Sequence, residues 1–283
     1  MLLSNKPEKA LDCLKEISGP YRTRAVFWYR MAQCYSCIYQ RELEKGRLNM
    51  VSDVVVSEQR QKLYLPAKAV YKFQEQEEPE KEDPIEQATK CLRNALSFCD
   101  DQELRVYILL LLSYICMNKQ PQCTLTCAQQ LLHMDVSDSQ RFIASLYASE
   151  ALLALDKPRQ AIEYLSNMPK ELKLLCHSTL SPTAAVFPDE CSSLLVQSIN
   201  LTCAQLHMGN LPLAVKSLNS AMSTLGLTQT QPQQRLTPVP APILSLAVYI
   251  ALKLGNHKQA ETIIRTRHVY AGYPFDKPSA AAN

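Results

Sequence analysis

The sequence contains little glycine or tryptophan, with six and one respectively in 283 residues, and no long apolar run. Its longest apolar stretch, Val106 to Met117, is broken by Ser113 and is shorter than the ~20 residues that a membrane-spanning helix needs. So few glycines cannot form a Gly-rich loop that cradles phosphate. The formal net charge of +3 does not by itself indicate a nucleic acid or a membrane surface as partner. These absences argue against a membrane protein and against a nucleotide-binding enzyme.

A reactive centre is also missing from the sequence pattern. Cys34-x-x-Cys37 is the only pair of cysteines at zinc-ligand spacing, whereas a structural zinc site needs four ligands. The five histidines are scattered, and none has an acidic residue and a nucleophile at a spacing typical of catalysis. We therefore predict no catalytic, metal-binding or cofactor-binding residue, no small-molecule substrate, and no enzyme activity.

Eleven cysteines in a chain of this length raise the question of disulfides. The odd number and the absence of a signal-peptide pattern after Met1 instead predict free thiols in a reducing compartment. Six of these cysteines fall in predicted helices, where cysteine packs as a small hydrophobic residue: Cys34, Cys91, Cys116, Cys127, Cys191 and Cys203.

A recurring six-residue phrase organises the sequence. Each copy begins with a residue suited to a helix end or a turn, usually carries an early proline, and closes on a small residue. Proline suits the first turn of a helix, and a small residue lets a neighbouring helix approach closely. The phrase is therefore typical of the elbow in a helix–turn–helix repeat. The copies close on Ala10, Ala88, Thr124, Ala161, Ala214 and Ala260.

Apolar residues on both sides of the elbows follow helical spacing. Positions four and seven residues beyond the small residue are mostly apolar, as at Leu165 and Met168, and Ile264 fits this pattern in the last copy. The helix before the elbow carries a large–small–aromatic pattern that is clearest at Trp28, Ala32 and Tyr35. Two helices and an elbow of about 34 residues are typical of tetratricopeptide repeats (TPR). We predict an all-α, TPR-like solenoid of antiparallel helix pairs.

The repeats define the expected domain organisation. We predict one helical array over residues 1–270, interrupted by insertions at about 40–82, 169–188 and 226–240, and a disordered tail at 271–283. The acidic stretch 74–83 within the first insertion is of low complexity. Because the first helix, near Pro7, has no partner helix before it, we expect the chain to be the C-terminal part of a longer solenoid.

The inner helices of such an array line a groove that binds other proteins. Left in water, each exposed apolar side chain forgoes about 1.5–3 kcal/mol, so apolar groove positions favour a protein partner. The alternative is that the insertions or the chain's own loops fill this groove. The candidate partner-binding residues at these positions are Tyr29, Val106, Leu109, Met117, Leu146 and Leu153.

Basic residues near both ends of the array leave an RNA-binding stripe open as an alternative, although solvated helix faces explain them more simply. They are Arg22, Arg24, Lys253, Lys258, Arg265 and Arg267. A general TPR adaptor in trafficking or ciliary transport is a second alternative, since the fold pattern does not specify the partner.

Three segments make the sequence resemble a particular family. They begin at Glu86 (EQATKCLRNAL), at Leu146 (LYASEALLALD) and at Ala241 (APILSLAVYIAL). The order of units and the positions of the insertions agree with the same family over about residues 20–268. The sequence resembles the subunit-ten family of the carbon-catabolite-repression–NOT (CCR–NOT) mRNA deadenylase complex, in its C-terminal half.

The resemblance implies a non-catalytic helical subunit that pairs with subunit eleven and docks on the large scaffold subunit. It implies a role in mRNA deadenylation, mRNA decay, translational repression and RNA-mediated silencing, in the cytoplasm and the nucleus. The nucleases that shorten poly(A) are other subunits. It implies no direct contact with nucleic acid and none with a membrane.

Overall fold

The computed structural model describes residues 6–52, 83–168, 173–175, 190–225 and 239–266, and the chain divides into two compact units, 1–119 and 120–283. The first unit contains α1 (Pro7–Glu16), α2 (Ser18–Tyr21), α3 (Ala25–Ser52), α4 (Pro84–Ser97) and α5 (Gln102–Cys116). The second contains α6 (Pro121–His133), α7 (Asp138–Ala154), α8 (Pro158–Ser166), β1 (Lys173–Leu175), β2 (Glu190–Ser192), α9 (Ser193–His207), α10 (Leu211–Thr224), α11 (Ala241–Lys253) and α12 (His257–Thr266).

Consecutive helices pack against each other within each unit, which confirms the predicted all-α, TPR-like architecture. In the first unit, α3 packs on α1 and α4, and α5 packs on α4 and touches α3. In the second, each helix from α6 to α12 packs on the next. A single array over residues 1–270 remains a prediction, and each unit is described separately.

The small residues that close the repeated phrase are all buried, as the sequence predicts: Ala10, Ala88, Thr124, Ala161, Ala214 and Ala260. Where the phrase carries an early proline, as at Pro84, Pro121 and Pro158, that residue starts a helix. The predicted apolar pattern is wrong at one position. Ile264 is 62% exposed, and its neighbour Ile263 is buried instead. Two adjacent isoleucines fit the spacing almost equally well, and packing against α11 selects one of them.

Three elbows of the second unit share one backbone geometry. Asp156, Gly209 and Gly255 follow α7, α9 and α11 with positive φ angles of 58°, 72° and 75°. After each, the next amide N–H bonds back to a carbonyl five residues earlier, as in Lys157 to Leu152 at 2.8 Å. This is the Schellman end of a helix, which reverses the chain with few residues.

Two described elements lie within or beside the predicted insertions. The first insertion begins within α3, which is 28 residues long and continues to Ser52 through a run rich in helix-forming residues. The second is flanked by the antiparallel pair β1 and β2, in which Lys173 faces Ser192. Cys191 therefore lies in a strand and not in a helix. The rest of the insertions, nearly all of the acidic stretch 74–83, and the tail lie outside the described residues.

Candidate functional site

Two helices of the first unit, α3 and α5, present a polar aromatic surface. Tyr107 and Tyr114 stand seven residues apart on α5 and are 44% and 41% exposed. The side-chain amide of Gln40 on α3 donates to the hydroxyl of Tyr114 at 3.1 Å. Tyr29 is half-buried and lies near enough to Tyr107 for the two hydroxyls to influence each other electrostatically. We call Tyr29, Gln33, Gln40, Tyr107 and Tyr114 the α3–α5 face.

Burial and hydrogen bonding fix Tyr29 within this face. Burial is the main cause that raises the pKa of its hydroxyl, whereas nearby Arg30 and a hydrogen bond with Gln33 act in the opposite direction. Arg30 also donates to the side-chain oxygen of Gln33 at 2.9 Å. A phenol held by neighbours in this way loses little freedom when a partner binds, because tyrosine has only two side-chain torsions.

A pocket of about 80 Å³ adjoins the face where α5 ends and α4 begins. The apolar part of its lining comes from Ile85, Ala88, Ile115 and Met117. The polar part comes from Ser36, Tyr39, Tyr114 and Asn118. Tyr114 therefore belongs both to the α3–α5 face and to the pocket, and the two form one continuous candidate site.

An ion pair lies beside this pocket. The ammonium of Lys119 binds the carboxylate of Asp83, and the same carboxylate caps α4 by accepting from the amide of Ile85 at 3.0 Å. The hydrogen bond from Lys119 is the main cause that lowers the pKa of Asp83. This pair connects the start of α4 with the residue that follows Asn118, so it bridges two parts of the pocket lining.

The predicted partner-binding residues divide into three groups. Tyr29 and Met117 are half-buried and lie at the α3–α5 face and in its pocket. Val106 and Leu109 are only 4% and 1% exposed, so they pack the helical core and do not line an open groove in this structure. A Leu109→Asp substitution would place a charge in that core and cannot test binding. The role of all these residues in binding a partner remains a prediction.

The other two predicted residues, Leu146 and Leu153, lie in the second unit. Both are partly buried and pack against a cluster that includes Phe142 and Leu165. On the same helix, Glu150 reaches solvent, but burial of its carboxyl group raises its pKa. Burial also raises the pKa of Cys203, and the carboxylate of Glu150 acts in the same direction. The inner helices α7 and α9 therefore place an acid and a thiol close together.

The sequence interpretation missed Tyr107 and Tyr114. Their seven-residue spacing is a signal, since it places both side chains on one side of a helix. It is hidden because the residues between them are almost all apolar, and any face of α5 then looks like a packing face. Only the neighbouring helices decide which side of α5 stays exposed.

Two cysteines of the first unit behave as packing residues. Cys34 and Cys91 are buried, and burial is the main cause that raises the pKa of each thiol to about 11. Both thiols are therefore protonated at neutral pH and react poorly. Within the described residues, no three His, Cys, Asp or Glu side chains come together as metal ligands would. The same part of the chain has no helix that is both long enough and apolar enough to span a membrane.

Stacked helix pairs, buried small residues at each elbow and an exposed aromatic face define a TPR-type repeat protein, a class that binds other proteins. Residues 103–181 match the family model of the CNOT10 tetratricopeptide repeat domain. This part of the chain is similar to the CNOT10 repeat domain, which supports a CNOT10-like subunit. No curated protein matches the chain.

Proposed function

We propose that the chain is a non-catalytic scaffold subunit of the CCR–NOT deadenylase complex. The observation that carries this proposal is the match of residues 103–181 to the CNOT10 tetratricopeptide repeat domain. Its partners would be subunit eleven and the large scaffold subunit of the complex. The chain would support mRNA deadenylation, mRNA decay and translational repression by holding these subunits together, in the cytoplasm and the nucleus.

The geometry of the first unit supports a role in binding proteins. The α3–α5 face combines aromatic rings with hydroxyl and amide groups, and side chains of this kind are enriched in protein interfaces. Its backbone is helical throughout, so a partner would meet a surface that is already ordered. Such preorganisation lowers the entropy cost of association.

Co-purification tests the proposal directly. The full-length protein is tagged and expressed in cells of its source organism. It should recover subunit eleven and the large scaffold subunit, identified by mass spectrometry. A double variant, Tyr107→Ser with Tyr114→Ser, should reduce this recovery about tenfold, since two aromatic contacts would be lost. Tyr21→Ser is the control, because Tyr21 is 40% exposed in the same unit but lies on α2, outside the α3–α5 face.

The result also decides between the scaffold and a general adaptor. Recovery of trafficking or ciliary proteins without any deadenylase subunit would contradict the proposal and favour the adaptor. Equal recovery by the double variant and the control would leave the complex intact but move the binding surface away from the α3–α5 face.

One observation favours RNA binding as a second candidate function. The ammonium of Lys253 lies 5.5 Å from the centre of the exposed Tyr249 ring on α11. A cation beside an exposed aromatic ring can bind phosphate and stack on a base. RNA affinity that falls steeply with salt, and that is lost on Lys253→Gln, would support this candidate.

A further inference from the structure

We propose that the pocket beside the α3–α5 face receives one uncharged aliphatic side chain, leucine, isoleucine or methionine, from a peptide segment of a partner protein. This inference rests on the proposed scaffold function and specifies how one partner is anchored. It follows from the lining of the pocket, its volume, its charge and the polar groups at its edge.

The lining favours an apolar occupant. Ile85, Ala88 and Ile115 are buried residues whose side chains also line the pocket, and Met117 completes this apolar part. Such a surface gains by exchanging water for hydrocarbon, in rough proportion to the area covered. Methionine adapts its shape to different neighbours, which suits a residue that meets an incoming side chain.

The volume restricts the size of that side chain. A cavity of about 150 Å³ lined by aliphatic residues is known to hold benzene. The pocket here is about 80 Å³, roughly half as large. This space matches an aliphatic chain of three or four carbon or sulfur atoms better than the larger phenyl or indole ring.

Charge gives a second restriction. All eight lining side chains are uncharged at neutral pH. The ionised groups of Lys119 and Asp83, beside the pocket, are paired with each other. A lysine or glutamate side chain would therefore lose its hydration in the pocket without gaining an opposite charge, and such a loss is unfavourable.

The edge of the pocket favours a peptide over a lipid or another wholly apolar ligand. Ser36, Tyr39, Tyr114 and Asn118 bring hydroxyl and amide groups to the apolar lining. A peptide carries backbone N–H and C=O groups beside every side chain, and these can bond to such an edge. A hydrocarbon chain could form no hydrogen bond with this edge.

A small panel of capped amino acids tests the pocket without a known partner. N-acetyl-leucinamide, N-acetyl-phenylalaninamide and N-acetyl-lysinamide are titrated into the full chain with ¹³C-labelled methyl groups, up to the millimolar range expected for fragments of this size. The leucine derivative should shift the signals of Ile85, Ile115 and Met117 saturably. The other two should bind at least about tenfold more weakly, and the buried Ile263 of the second unit serves as reference.

Two variants sharpen the test. Ser36→Met should fill the pocket and weaken leucinamide binding about tenfold or more, with the circular dichroism spectrum as the check on folding. Met117→Ala should enlarge the pocket and shift the preference toward phenylalaninamide. Absence of saturable shifts, equal binding of all three probes, or an unchanged preference in Met117→Ala would each overturn the proposal.

The experiments distinguish a failure of the pocket proposal from a failure of the proposed function. If the protein recovers the deadenylase subunits but does not bind N-acetyl-leucinamide, only the pocket proposal is contradicted. Selective leucinamide binding in a protein that recovers none of those subunits would remove only the CCR–NOT assignment. If Ser36→Met recovers about tenfold less subunit eleven, the pocket contributes to binding that subunit.

Discussion

The carboxylate of Asp83 accepts a hydrogen bond from the amide of Ile85 and pairs with the ammonium of Lys119. One side chain therefore caps α4 and also joins its first turn to the end of α5. The two roles can be separated by mutation, because asparagine caps a helix about as well as aspartate but carries no charge.

Asp83→Ala should destabilise the protein by about 0.5–2 kcal/mol through loss of the helix cap. Asp83→Asn should remain close to the wild type at neutral pH, because it keeps the cap and loses only a solvent-exposed pair. Urea denaturation of both variants checks the difference. Equal destabilisation by the two substitutions would show that the ion pair, and not the cap, is the important contact.

The same carboxylate predicts a dependence on pH. Its pKa is lowered in the folded state, chiefly by the hydrogen bond from Lys119, so its contribution to stability is present above the unfolded-state pKa. That contribution is lost as the pH falls below about 4 and through the folded-state pKa. The wild type should therefore lose more stability than Asp83→Asn between neutral pH and pH ~3. Parallel pH curves for the two proteins would contradict this linkage.

For Glu150 we expect the opposite dependence of stability on pH. Because burial raises its pKa in the folded state, the charged carboxylate is unfavourable there, and stability should increase as the pH falls toward the unfolded-state pKa. Glu150→Gln should therefore stabilise the second unit slightly at neutral pH. The gain should disappear near pH 4, where the wild-type carboxyl group is protonated in both states. Thermal unfolding at the two pH values measures it, and a gain independent of pH would exclude ionisation as the cause.

Much of the fold follows from the sequence, because small residues at fixed distances from an elbow have one physical role. Ala161 and Ala214 allow close helix packing wherever they occur in such a phrase, and both are buried. Less of the candidate site could be predicted from the sequence. Val106 and Leu109 lie in a nearly continuous apolar run that has no polar side to orient it, so only tertiary packing shows that they are core residues. The pairing of β1 with β2 depends on residues far apart in sequence, and no local pattern predicts it.

The elbow after α7 predicts a stabilising substitution. Asp156 adopts a φ of 58°, which is unfavourable for most residues with a side chain, whereas glycine occupies the matching positions 209 and 255. Asp156→Gly should therefore stabilise the protein by up to ~1 kcal/mol. The substitution removes little stabilisation, because the 3.4 Å contact between the Asp156 carboxylate and His207 is exposed to solvent.

Glycine 255 supplies the control for this elbow. A methyl group added there would meet no atom within 4 Å, so Gly255→Ala isolates the backbone cost of a φ of 75°. It should destabilise the protein by about 1 kcal/mol. Differential scanning calorimetry of both variants checks the pair. Destabilisation by both would show that the side chain of Asp156 contributes more than its backbone conformation costs.

A buried hydrogen bond links neighbouring helix pairs of the second unit. The side-chain nitrogen of Gln197 on α9 donates to the carbonyl oxygen of Leu165 at 2.5 Å. Leu165 lies in the last turn of α8, where carbonyl groups have no partner within their own helix. Gln197→Leu leaves this buried oxygen without a donor and should destabilise the protein by about 1–3 kcal/mol. Thr202→Val is the matched control, because the hydroxyl of Thr202 bonds within its own helix, to the carbonyl of Ser198 at 2.8 Å. Chemical denaturation compares the two, and an equal loss in both variants would mean that Gln197 acts through its volume and not through the bond that joins α9 to α8.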